Sequence, residues 1–128
     1  MTEKRFRAAI PLYETSLYLV VTNNVQEYYE KHIGEDKGRC PVAFTAWING
    51  DLCIVVSPRV TLGTLAHEIV HASVEILEHH GLRWGKSNQE PVCYLVSWLM
   101  DWVDRRLKKE ENKSRAKSDK PMKINFNK

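Results

Sequence analysis

Cysteine is scarce in this chain. There are three in 128 residues, Cys40, Cys53 and Cys93, and no CxxC pair. An odd, scattered set builds neither a disulfide framework nor a cysteine-rich zinc site, so reduced thiols and a cytoplasmic location are expected. Long apolar runs are missing as well. No stretch reaches the roughly 18 residues that a membrane-spanning helix needs. Residues 1–7 lead only into a short apolar run containing Pro11, which does not read as a secretory signal. Six glycines and five prolines are too few for a collagen-like or mucin-like chain.

What is present is ordinary in bulk, with 43% hydrophobic and 27% charged residues and a mean hydropathy of −0.43. That composition and length suit one globular domain. The net charge of +3 is unevenly placed. Residues 105–128 hold 10 of the 19 basic and 3 of the 16 acidic residues, leaving a body with 9 basic and 13 acidic ones. The basic character therefore belongs to the C-terminal stretch. A nucleic-acid-binding domain concentrates positive charge on its folded body, so nucleic acid is an unlikely partner. A solvated, solubilising tail is the more economical reading.

Two short strands are expected over residues 5–12 and 16–22, with Pro11 at a strand end or sheet edge. A helix follows over about 24–32, capped by Asn23 or Asn24, and then a loop over 34–38. Residues 42–48 and 51–56 flank Asn49-Gly50, the dipeptide that a type I′ turn favours, and read as a β-hairpin. A long helix runs from about Thr61 to His79 or His80, ended by Gly81. A second long helix spans about 89–108, started by a Ser87…Glu90 capping box or by Pro91 in its first turn. The expected architecture is a small α+β domain over residues 1–108, with a mostly antiparallel sheet. Residues 109–128, rich in Lys, Asn and Ser, read as a basic, disordered tail.

The chemistry lies in His67-Glu68-Ile69-Val70-His71, an HExxH pattern inside the first long helix. Residues four apart share a helical face, so both imidazoles can reach one ion at about 2.0–2.1 Å. Glu68 is rotated by about 100°, where its carboxylate can touch a water held by that ion without being a ligand. Random placement of five His and 11 Glu yields this pattern roughly 0.016 times in such a chain. Leu65, Ile69, Ala72, Ile76 and Leu77 cluster opposite the histidines, which directs one side into a core and the histidines outward. The alternative is a pair of solvated histidines on the polar face of an amphipathic helix.

A catalytic zinc site needs a third protein ligand. Val74 and Leu77 stand where the metzincin continuation has Gly and His, which excludes it. His79 is about 12 Å along the helix from His71, too far to share the ion, and suits the negative helix end together with His80. Glu90, at the head of the second helix, is the better candidate. It shares a polar stripe with Tyr94, Ser97, Asp101 and Asp104, opposite Val92, Leu95, Val96, Leu99 and Val103. Asp101 and Cys93 are weaker choices, and a stripe that merely faces water is the competing reading.

The run Thr64-Leu65-Ala66-His67-Glu68-Ile69-Val70-His71-Ala72, with Glu90-Pro91-Val92-Cys93-Tyr94-Leu95, resembles the zincin metallopeptidases. A glutamate as third ligand is similar to the gluzincin branch, and the compact arrangement resembles small HExxH proteins of tailed phages. The resemblance covers about residues 42–103. It implies Zn²⁺ held by His67, His71 and Glu90, with Glu68 as general base, in a zinc-dependent peptidase acting on a peptide or protein substrate. Many gluzincins carry an aspartate four residues after the glutamate ligand. Tyr94 stands there instead and is a candidate donor to an oxyanion.

The strand over 52–57 is a candidate open edge for an extended substrate, against the alternative of an ordinary buried hairpin strand. Trp84 is the tryptophan placed to rim a cleft, whereas Trp98 and Trp102, one turn apart, suit a core. Two rival functions remain open at this point. One is a non-catalytic zincin fold that acts as a binding or inhibitory protein; the other is a DNA-associated protein with structural zinc.

Overall fold

The computed structural model describes residues 3–34 and 42–126. Cys40 and most of the loop expected over 34–38 lie outside the described residues. The chain is α+β, as its pattern predicts. In order it forms β1 (Glu3–Ile10), β2 (Thr15–Thr22), α1 (Val25–His32), β3 (Ala43–Ile48), β4 (Asp51–Val56), α2 (Leu62–His79), a single 3-10 turn (Lys86–Asn88) and α3 (Gln89–Phe126).

The four strands make one sheet in the order β1-β2-β4-β3. β1 pairs with β2 and β3 with β4 antiparallel, as two hairpins, and the hairpins join through a parallel β2–β4 pairing. The sheet is thus mixed. In the second hairpin Asn49 and Gly50 both take positive φ, +52° and +85°, the geometry of a type I′ turn.

Strand periodicity assigns side chains to two cores. Leu17, Leu19 and Val21 of β2 and Leu52, Ile54 and Val56 of β4 point to one face, where α2 and α3 cover them. Val20, Cys53 and Val55 point to the other, with Phe44 and Ile48 of β3, where Val25 and Tyr28 of α1 pack on them. Residues 52–56 are buried throughout, which is why their sequence is a continuous apolar run rather than an alternating one. That run corrects the expectation for residues 52–57. β4 is an interior strand, and among the described residues the edge strand on this side of the sheet is β3.

α2 starts at Thr61, whose hydroxyl accepts from the Thr64 amide at 3.2 Å. It ends in a Schellman motif. Gly81 at φ +79° lets its own N–H reach the Glu78 carbonyl and the Leu82 N–H reach that of Leu77, at 3.0 and 2.8 Å. The buried side holds Leu65, Ile69, Ala72, Ile76 and Leu77, the five residues that helical spacing assigns to it.

On α3, Val92, Leu95, Leu99 and Val103 are buried, as is Trp102. The helix does not stop near 108. It continues through Phe126, so the stretch expected to be disordered is helical over 109–126. Its first part is rich in Lys, Arg and Glu, which are good helix formers and pair along the turns, Lys108 with Asp104 and Arg115 with Glu111. Lys4 of β1 binds Glu110 and ties this extension to the sheet. Those Lys4 contacts, first its hydrogen bond, hold the Glu110 carboxyl below its ordinary pKa against the opposing effect of burial. No described helix is long and apolar enough to cross a membrane.

Candidate metal and peptide-cleavage site

His67 and His71 stand on the exposed side of α2 with their Nε2 atoms 3.2 Å apart and their ring centroids 4.8 Å apart. Two nitrogens bound to one tetrahedral ion at about 2.05 Å are separated by about 3.3 Å. The pair therefore already has the spacing of two ligands on one zinc ion, and the donor chemistry fits.

Glu68 behaves differently from its neighbours. It is only 7% exposed. Its Oε1 accepts a 2.7 Å hydrogen bond from Thr45 Oγ1, and its own carbonyl stands 3.1 Å from the same hydroxyl. Thr45 sits in the middle of β3, so α2 and this edge strand are pinned together at the one residue that the proposed chemistry uses as a base. The sequence reading overlooked Thr45. The available signal was alternation: residues 43, 45 and 47 share the face of β3 that looks toward α2.

Between β3 and α2 lies an open cleft of about 370 Å³, lined by residues 43–47 together with Glu68, His71 and Glu75. The proposed base and one proposed ligand therefore open into a groove that runs along β3, the edge strand among the described residues. Trp47 donates from Nε1 to Glu75 Oε1 at 2.7 Å and stacks near His79, centroid to centroid 5.3 Å.

Other expected residues sit elsewhere. Glu90 is exposed in the first turn of α3, and Tyr94, 36% exposed, is one turn further on. Neither lines the cleft. Among the described residues no group of three or more His, Cys, Asp or Glu side chains converges as a metal cage. The polar stripe of α3, including Ser97 and Asp101, faces outward. The structure pairs His67 with His71 and sets Glu68 and His71 in one cleft, whose lining includes neither Glu90 nor Tyr94.

Trp84 does not rim the cleft. It lines a separate cavity of about 500 Å³ with Gly85, Lys86, Gln89, Val92 and Cys93. His79 and His80 occupy the end of α2, where His80 Nδ1 donates to the Ile76 carbonyl at 2.9 Å. Burial pushes the Cys53 thiol above its ordinary pKa, which makes it a poor nucleophile.

The Thr45 hydroxyl has a measurable expected effect. Thr45→Val keeps the shape and removes the donor. A net value of about 1.5 kcal/mol for a hydrogen bond to a charged group predicts a kcat about tenfold lower with KM little changed. Thr45→Ser should restore the rate. Steady-state kinetics on the three proteins check this, and a Val variant at full rate removes Thr45 as a positioning residue.

Comparison with known proteins adds nothing to this geometry: scans against protein-family models, curated proteins and solved structures each return no match.

Proposed function

We propose that the protein is a zinc-dependent peptidase whose site is His67, His71 and Glu68 beside the β3 edge. The observation that carries this reading is the paired 3.2 Å Nε2 spacing next to a buried, hydrogen-bonded glutamate in an open cleft. An isolated pair of surface histidines would need neither the carboxylate nor the groove.

A bound zinc ion would acidify water and polarise the scissile carbonyl. The chain's own part is proton handling and alignment. With Oε1 committed to Thr45, Oε2 of Glu68 is the oxygen left to take the proton from water and pass it to the departing amine. Burial of Glu68 and the Thr45 bond keep its carboxylate in one orientation, so little reorganisation is needed as the proton moves. The N–H and C=O groups on the outer side of β3, unpaired among the described residues, can align an extended peptide by strand addition, holding its backbone across the cleft.

We assign the third ligand to Glu90 on the resemblance and on its place at the exposed head of α3. Among the described residues Glu90 does not converge with the histidine pair, so binding the ion would require it to move toward them. A second reading, a non-catalytic binding or inhibitory protein with the same fold, is favoured by the absence of a converged third ligand among the described residues.

Elemental analysis after zinc-replete expression and dialysis tests the assignment. One zinc per wild-type chain is expected. His67→Ala and His71→Ala should each lose it, with affinity down by at least about 100-fold, and Glu90→Ala should lose about as much. A wild-type protein without stoichiometric zinc ends the metalloenzyme reading. Loss in Asp101→Ala but not in Glu90→Ala moves the third ligand to Asp101.

A further inference from the structure

The cleft beside β3 carries more than the proposed base. One helical turn past His71, about 6 Å along α2, Glu75 enters the same groove. It spends Oε1 on the Trp47 indole N–H, and no Lys or Arg pairs with it among the described residues. The described residues lining the cleft include two carboxylates, Glu68 and Glu75, beside His71, and no Lys or Arg. Trp47 is 39% exposed, so part of its ring surface is open beside that carboxylate. An aromatic surface next to a half-buried carboxylate suits a cation on a flexible apolar stem: the stem packs on the indole, and the charge reaches the carboxylate.

We propose that Glu75 and Trp47 form a specificity subsite for a lysine or arginine side chain of the peptide. This deepens the peptidase reading and rests on it. Thr45, which holds Glu68, and Trp47 are two residues apart on one face of β3, about 6.8 Å. A strand added to that edge repeats at the same spacing, so the basic residue belongs within two positions of the scissile bond. The Trp47–Glu75 bond keeps the carboxylate from swinging away and makes the subsite preformed. His79 packs against the Trp47 ring, centroid to centroid 5.3 Å, and helps fix the indole.

Two measurements at pH 8 test the subsite. In the first, wild type cleaves matched peptides that differ only in lysine against norleucine at each position near the cut. The expected result is a kcat/KM ratio of about tenfold in favour of lysine at one position, falling as salt rises. Glu75→Gln can still accept from the indole but carries no charge, and should bring that ratio to within about twofold of one. Glu75→Lys should invert it toward glutamate peptides.

In the second, isothermal titration calorimetry follows the same peptides binding to Glu68→Gln, which cannot turn them over, with and without Glu75→Gln. The same tenfold difference in Kd is expected, and it should vanish in the double variant. Cleavage without basic preference, or a preference untouched by Glu75→Gln, overturns the subsite and leaves the peptidase reading standing. No cleavage, but lysine-selective binding that depends on Glu75, overturns the peptidase reading and keeps the subsite. No cleavage and no selective binding removes both. If Glu75→Gln fails to fold, the salt dependence and Trp47→Phe in the wild-type background decide the same question.

Discussion

Replacing Glu68 by glutamine should lower kcat for peptide hydrolysis by at least about 100-fold while zinc content stays at the wild-type level. Glutamine keeps the length and can still accept from Thr45, so the cleft should hold its shape. What it loses is the ability to take a proton. General acid–base groups contribute about 10²–10⁴-fold, so the loss is expected inside that range, with KM changed little because Glu68 is not assigned to hold the peptide. Peptide hydrolysis and elemental analysis on one preparation give both numbers. An unchanged rate removes Glu68 as the base. Equal, negligible activity in both proteins, with zinc bound, supports the non-catalytic alternative instead.

Truncating Ile69 to alanine should destabilise the domain by about 2–5 kcal/mol. Ile69 lies between Glu68 and His71 in sequence, but on the side of α2 opposite the two histidines, and it is fully buried in the core against the sheet. Its methyls fill space that the neighbouring side chains cannot fully reoccupy, so the cost includes a cavity as well as lost transfer energy. For a small domain with about 5–15 kcal/mol in all, that is a large fraction. Leu62→Ala, on an exposed residue of the same helix, should stay within about 0.5 kcal/mol. Urea unfolding of the three proteins checks both. A cost below about 1 kcal/mol for Ile69→Ala would mean that the α2–sheet contact is not what anchors the site helix.

α2 was almost entirely legible in advance. Its Gly81 end, its five buried apolar residues and its outward histidines follow from a pattern repeating at 3.6 residues and from the glycine placed after it, whereas the burial of Glu68 does not. The Asn49-Gly50 hairpin was equally legible, because a type I′ turn selects residues that tolerate positive φ. α3 was legible where it packs. Its continuation over 109–126 was not, since a segment with almost nothing apolar before Ile124 and Phe126 has little packing signal and composition alone suggested disorder.

The sheet order is where local pattern failed. Nothing in residues 16–22 or 51–56 taken singly says that β2 and β4 lie side by side and parallel, because that pairing joins segments separated by α1 and β3. The interior position of β4 was visible as an unbroken apolar run, yet a hairpin strand before the site helix also suggested an open edge. Once the order is set, β3 becomes the edge, and Thr45 and Trp47 come to face Glu68 and Glu75. Those two contacts, separated by 23 and 28 residues in the chain, are the least legible part of the candidate site.

The scarcity of cysteine and the HExxH spacing were enough to direct attention to one helix, to two histidines on its exposed side and to a carboxylate between them. Helical geometry carries that much, since residues four apart must be neighbours whatever else the chain does. Only the tertiary structure decided which strand borders the helix, which hydroxyl holds Glu68, and that neither Glu90 nor Tyr94 lines the cleft beside it. Those are contacts between distant segments. Burial of the whole apolar surface sets them, and no short stretch of sequence specifies it.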